Sequence, residues 1–183
     1  MTLLVRDTFC SFCGSKYTEM TYPRACPGCK TQIWANPIPV CVALVPVLEA
    51  RGTGLLVIRR AIPPVGKLAL VGGFLEEHES WQVGMAREVR EETSVEIDPD
   101  KLTCMDFASS SPKPNRVLLF AVAAPVDGAS LPKFSPDAET AERGVIFGPG
   151  GLDEELAFSL HADAARRFFA ERGIDGPHAY TTR

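Results

Sequence analysis

The sequence predicts an α/β domain preceded by a small four-cysteine metal ribbon. Two observations carry this. From about Val40 onward, short apolar runs alternate with two longer stretches of helical spacing. Ahead of them stand two Cys-x2-Cys knuckles, Cys10/Cys13 and Cys26/Cys29, with twelve residues between the pairs. At 183 residues and 45% hydrophobic content, the chain can bury a core of ordinary size.

The ribbon occupies residues 1–35. Paired knuckles this close together read as a zinc site of four thiolates, with Gly14 and Gly28 easing each turn. Disulfides are the alternative, but nothing in the sequence points to secretion. Four thiolates leave no position for water, so the expected role is structural. Cys41 in an apolar run and Cys104 in a predicted strand read as packed thiols.

The second domain, residues 36–183, opens at Asn36-Pro37-Ile38-Pro39, where the prolines mark a junction. Val40 to Val47 and Gly54 to Arg60 read as strands around a turn at Ala50 to Thr53. Ala61 to Gly66 is a proline-containing loop, and Leu68 to Val71 leads into a glycine loop at Gly72-Gly73. Ser80 to Thr93 lacks proline and is rich in helix formers. It reads as a helix with Val83, Ala86, Val89 and Thr93 toward the core. Leu102 to Ala108 and Arg116 to Ala123 read as a strand pair joined by SSSPKPN, and Gly144 to Phe147 as a short strand. Asp153 to Arg172 reads as one helix with Leu156, Leu160, Ala164 and Phe168 on a stripe.

Chemistry concentrates between Gly73 and Val95. On a helix, Glu88 and Glu92 are i and i+4, and Glu91 is i+3 from Glu88, so these carboxylates share one side. Like charges at that spacing repel and weaken a bare helix. A hard divalent cation, Mg²⁺ or Mn²⁺, would remove the repulsion. A solvated acidic face is the alternative, and the glycine, glutamate and arginine in register around the acids argue for the metal. Adjacent glycines let a backbone approach a ligand closely. Glu79 stands at the helix start, where its charge suits the helix dipole. Arg87 is placed to hold the acids by ion pairs, with an ordinary surface arginine as the alternative.

Gly73, Glu79, Arg87-Glu88-Val89, Glu91-Glu92 and Val95 fall in the register G-x5-E-x7-R-E-U-x-E-E-x-G-U, where U is apolar. The chain thus resembles the Nudix hydrolases, which cleave a nucleoside diphosphate linked to another group. Only Ser94 departs, standing where the pattern has glycine. A serine at positive φ after a helix costs roughly 1 kcal/mol more than glycine. The resemblance implies an α/β/α sandwich, a metal-binding carbonyl at Gly73, and catalytic Mg²⁺ or Mn²⁺ on Glu88 and Glu92. The metal would neutralise the diphosphate and position a water, and a glutamate would take the proton. Candidate bases are Glu91, Glu139 and Glu142. Glu139 lies on a loop the family often uses, with a surface-loop role as the alternative for it and for Glu142. Arg59, Arg60, Lys67 and Arg116 are available to phosphates, and Trp34, Trp81 and Phe74 to a base or flavin. Solvated cations and packed aromatics are the alternatives.

The resemblance extends to the zinc-ribbon members of that family. One group, bacterial NADH pyrophosphatases that also remove NAD caps from RNA, carries SQPWPFPxS after the box. SSSPKPN, Ser109 to Asn115, lacks its aromatics. A second group, close to plant plastid FAD and ADP-ribose pyrophosphatases, has segments similar to Pro136 to Glu142 and to Leu156-Ala157-Phe158-Ser159. The expected substrate is FAD or ADP-ribose ahead of NADH, cut to AMP and a phosphorylated second product. NADH pyrophosphatase or NAD-cap decapping activity is the alternative in the same class. A non-catalytic nucleotide- or RNA-binding protein is the alternative outside it, and the intact Glu88, Glu91 and Glu92 count against that. Zinc-ribbon members commonly dimerise, so a homodimer is expected. The net charge of −4 argues against a general nucleic-acid binder. The apolar runs are too short to span a bilayer, and no signal peptide is read at MTLLVRDTF, so the expected location is cytoplasmic.

Overall fold

The computed structural model describes residues 7–110 and 115–183; Ser111 to Pro114, the centre of the SSSPKPN segment, and the first residues of MTLLVRDTF lie outside the described residues. The chain divides between Pro37 and Ile38 into two compact units.

In the first unit, β1 (Arg24–Ala25) and β2 (Gln32–Ile33) form a short antiparallel hairpin. The two knuckles are built alike. The Gly14 N–H donates to the Cys10 carbonyl at 2.9 Å, and the Lys30 N–H to the Cys26 carbonyl at 3.0 Å. The turn residues are Gly14 at φ 73° and Lys30 at φ 64°. Gly28 therefore does not make the second turn, contrary to expectation. It is glycine for space, since a Cβ there would fall 2.2 Å from Ser15 Oγ. The Arg24 guanidinium lies 3.6 Å over the Tyr17 ring and donates to the carbonyls of Asp7 and Glu19.

In the second unit, nine strands among the described residues form a mixed sheet. They are β3 (Ile38–Leu44), β4 (Pro46–Glu49), β5 (Gly52–Arg60), β6 (Leu68–Phe74), β7 (Thr103–Ser109), β8 (Arg116–Val122), β9 (Val126–Asp127), β10 (Thr140–Phe147) and β11 (Ala179–Thr182). The order is β11-β10-β5-β6-β3-β8-β7, with β4 pairing β5 and β9 pairing β4. The helices are α1 (Trp81–Thr93), α2 (Leu152–Glu155) and α3 (Ser159–Ala170). Strand alternation sorts the core into two layers. Val42, Leu44, Val57 and Leu70 pack with Phe168 and Phe169 of α3. Cys41, Ala43, Ile58 and Val71 pack with Met85 and Val89 of α1. Both faces of the central strands are apolar because both are covered, which gives the α/β/α sandwich.

The structure departs from the sequence reading in several places. The apolar run Val40 to Val47 is not one strand. It breaks at Val45, where Pro46 has no N–H to continue the ladder. The expected long helix is also interrupted. Leu156 is extended at φ −79°, ψ 141°, and the Ala157 N–H donates to the Leu68 carbonyl at 2.8 Å. Leu156 is buried, but as a bridge to β6 instead of as a helical residue. On α1, Met85, Val89 and Thr93 form the buried stripe, whereas Val83 is 51% exposed. No helix among the described residues is long and apolar enough to cross a membrane.

Candidate active site and metal centre

Gly72 and Gly73 lie inside β6, not in a loop, paired with Val42 and Cys41 of β3. Each is glycine because something presses on its α-carbon. A Cβ on Gly73 would lie 2.5 Å from the Glu88 carboxylate, and one on Gly72 would lie 2.1 Å from the Cys41 carbonyl oxygen. The close approach expected of this pair is therefore made by a helix carboxylate of the chain itself.

Helix α1 brings that carboxylate in. Ser80 caps its N-terminus by accepting from the Val83 N–H, and Ser94 ends it in the left-handed region at φ 61°. Arg87 is the hub of the helix surface. It donates to Glu79 through Nη2 at 2.8 Å and Nε at 3.2 Å, to Glu88 at 2.8 Å and to Glu91 at 3.1 Å through Nη1, and to the Phe74 carbonyl at 3.0 Å. These pairs hold the Glu79 carboxyl below its usual range and raise the Arg87 pKa. Glu79 precedes the cap and bonds the Glu76 N–H, so Arg87, more than the dipole, fixes it. Gly84 makes room for it, since a Cβ there would sit 2.6 Å from Glu79 Oε1.

Glu88 and Glu92 lie at the edge of the buried stripe. Burial pushes the Glu92 carboxyl up to about 8; the Gly72 N–H, donating at 2.9 Å, opposes this, and the charges of Glu88 and Glu139 add to it. Burial also raises Glu88, with Arg87 opposing. Half-buried carboxylates that disfavour one another's charge, beside a carbonyl and a glycine cradle, suit a hard divalent cation. No three of these carboxylates among the described residues draw as close as the four ribbon sulfurs, which all lie within 4.8 Å of one another.

A cleft of ≈ 1160 Å³ opens on this wall and is lined by Gly73, Glu88, Glu91, Glu92 and Glu139. Glu139 is held on its loop by Asp137, whose carboxylate accepts the N–H groups of Glu139 and Thr140 at 2.8 and 2.7 Å. Arg60, Arg116 and Phe74 also line the cleft, as do Ser109, Ser110 and the stretch Ala157 to His161. Glu142 does not. It lies on β10, ion-paired to Arg59 at 2.8 Å and bonded by the Tyr180 hydroxyl, so both it and Arg59 are engaged elsewhere. Lys67 donates to the Glu154 carbonyl. Trp81 packs against the α1-side core, and Trp34 belongs to the first unit.

Sequence reasoning passed over Asp137, Gly84 and His161. The first two bind only backbone or make space, and no motif marks them. His161 is buried, and its Nδ1 accepts the Leu70 N–H at 3.2 Å. Burial, with the nearby Arg60 charge, pushes it down to about 3. A lone histidine within a helical apolar pattern gives no warning of this.

In the ribbon, Cys10 and Cys29 sulfurs are 3.8 Å apart and those of Cys13 and Cys26 3.5 Å apart, with none in a disulfide. Tetrahedral zinc with bonds of about 2.3 Å would space its sulfurs by about 3.8 Å, so the set fits. Hydrogen bonding to Ser15 holds Cys13 down at about 6, which favours the thiolate. Cys41 is a packed thiol as expected, donating to the Gly73 carbonyl at 3.6 Å and pushed up to about 11 by burial. Cys104, contrary to expectation, is exposed: it lies on β7, an edge strand whose residues are largely uncovered on both faces.

A family model described as the NUDIX domain matches residues 37–170. A curated relative, the NAD-capped RNA hydrolase NudC of Stutzerimonas stutzeri, is 35% identical over 100 residues, 54% of this chain and 35% of that protein. NudC of Pseudomonas putida is 33% identical over 91 residues, 49% of this chain and 32% of that protein. The match therefore takes in about a third of the length of these curated relatives. Among solved structures, a NUDIX hydrolase from Nitrosomonas europaea superposes with a TM-score of 0.65 at 27% identity, covering 93% of this chain and 96% of that one. The NUDIX domain of Shewanella oneidensis NrtR, solved with ADP ribose, shares the fold with a TM-score of 0.62 at 16% identity over 77% of this chain and 91% of that one.

Proposed function

The chain belongs to the Nudix family, and from that premise we propose a Mg²⁺- or Mn²⁺-dependent pyrophosphohydrolase. Its substrate is a compound in which ADP is joined to a second group, and one product is AMP. The observation that carries the reading is the meeting of Glu88, Glu92, Glu139 and the Gly73 backbone on one cleft. Glu88, Glu92 and the Gly73 carbonyl would hold the cation, which supplies charge neutralisation at the diphosphate. Arg87 keeps Glu88 aimed, and the Gly72 N–H orients Glu92. Glu139 takes the proton of the water that attacks phosphorus, while the bond to the bridging oxygen breaks. It is preferred to Glu91, which Arg87 and Arg90 both engage. The four ribbon cysteines hold a structural zinc.

Two observations bear on the second group. The missing aromatics at Ser109 to Asn115, and the position of Asp137 to Glu139 and Ala157 to Ser159 on the cleft, support FAD or ADP-ribose. The NudC relatives support a second reading, NADH or NAD-capped RNA. Incubation with Mg²⁺ or Mn²⁺ and FAD, ADP-ribose, NADH, NAD-capped RNA and nucleoside triphosphates, followed by product identification, tests the class. The ratio of kcat/KM values decides between the readings. Tight binding of one compound with no cleavage of any would move the protein out of the enzyme class. The homodimer implied by the zinc-ribbon resemblance belongs to the same proposal, and a monomeric mass by light scattering would remove it.

A further inference from the structure

Arg60 ends β5 and lines the cleft beside the acidic wall. Glu92 and Glu139 are both near enough to act on its charge, yet among the described residues it forms no ion pair with either. Its direction is fixed from two sides. Nη2 donates to the Pro63 carbonyl at 2.6 Å, and the guanidinium lies 5.0 Å from the centre of the Phe158 ring. Nε is sealed from solvent without a partner, and Nη1 has none among the described residues. The neighbouring cations are differently placed. Arg87 is saturated by Glu79, Glu88 and Glu91, and Arg59 is paired with Glu142.

A guanidinium stays charged in proteins, and its planar fork matches phosphate oxygens. Burying it part-way without a counter-ion costs stability, which the lowered pKa reflects. The described residues around it supply no anion within pairing distance, and a bound diphosphate would. We propose that Arg60 binds a non-bridging phosphate oxygen of the substrate directly, so that metal and arginine share one anion. This rests on the reading of the cleft as a diphosphate site.

The test uses the full chain with two probes, Mn²⁺ alone and inorganic pyrophosphate at saturating Mn²⁺, each titrated by calorimetry. Arg60→Gln should weaken pyrophosphate binding about 10- to 100-fold, the worth of a charged hydrogen bond, and lower kcat/KM similarly. It should leave Mn²⁺ binding unchanged or tighter, because a positive charge has been removed beside the acids. Arg60→Lys keeps charge without the fork, should lose less, and decides the matter if the glutamine variant does not fold. Unchanged pyrophosphate affinity in a folded variant would overturn the proposal. So would equal loss of Mn²⁺ and pyrophosphate, which marks a structural role. Glu92→Gln separates the two readings: if it abolishes Mn²⁺ binding while Arg60→Gln changes nothing, only the Arg60 role fails. A wild-type protein that binds neither probe removes the diphosphate site itself.

Discussion

Acid should destabilise this protein in part through one histidine that takes no part in the proposed chemistry. His161 sits between Phe158 and Phe120, with ring centroids 5.0 and 6.0 Å away, and accepts the Leu70 N–H through Nδ1. Accepting there requires a neutral ring with its proton on Nε2. Burial pushes its pKa down to about 3, from 6.5 in an unfolded chain. The sign follows. Above 6.5 both states are neutral, and the residue is indifferent to pH. Between 6.5 and about 3 only the unfolded chain takes the proton, so stability falls as pH falls. At pH 4 the gap is about 2.5 units, and at about 1.4 kcal/mol per unit the loss is about 3 kcal/mol.

Many carboxylates titrate in the same window, so a comparison must isolate the histidine. His161→Asn places Oδ1 near the position of Nδ1, keeping an acceptor for Leu70 and removing the titration. The variant loses ring packing and should be less stable at pH 7. The decisive quantity is the slope. Urea unfolding followed by circular dichroism at pH 7, 6, 5 and 4 should show wild type losing about 3 kcal/mol more than the variant. Parallel pH profiles would mean that the native ring is already protonated or exposed, and the burial argument would fail.

Glu92→Gln and Glu88→Gln should keep the fold and lose nearly all turnover, while Glu77→Gln, exposed and outside the cleft lining, should be mild; equal activity in all three at saturating Mg²⁺ would detach α1 from the chemistry. Ser94→Gly relieves a left-handed serine, worth roughly 1 kcal/mol, but gains about 0.4–1 kcal/mol of chain entropy when unfolded, so a net stabilisation of no more than about 0.5 kcal/mol is expected by thermal melting. Cys26→Ser should release zinc, read by elemental analysis, and unfold the first unit before it affects turnover directly.

The helix, its acids and the four cysteines were legible because their spacing is short-range and set by helical or knuckle geometry. The split at Leu156 was not. Leu156, Leu160, Ala164 and Phe168 keep helical spacing in sequence, but Ala157 satisfies a β6 carbonyl instead of a helical one. Tertiary hydrogen bonding overrides local pattern there, and no periodicity records it. β11 was missed for another reason. Ala179–Thr182 is a partly exposed edge strand without an apolar run, held by its ladder to β10. Glu139 and Glu142 look alike in sequence. Only the strand start at Thr140 separates them, leaving Glu139 on the cleft and carrying Glu142 to Arg59.

The acids of α1 also explain why this helix is built with three faces and not two. Met85, Val89 and Thr93 fix its rotation against the sheet. That rotation carries Glu92 and Glu88 to the margin of the core, where burial raises both. Glu91 falls one step further round and is half exposed. Acids that all met water would hold a cation weakly, because the high dielectric of water would screen the attraction. Here the backbone N–H of Gly72 and the guanidinium of Arg87 offset part of the burial cost without neutralising the set. The glycines at 72, 73 and 84 are the spatial requirement for those contacts, since a methyl at any of them would collide with Cys41, Glu88 or Glu79. The stability given up at this wall is therefore local and specific, and the divalent cation proposed for it would restore part of that stability.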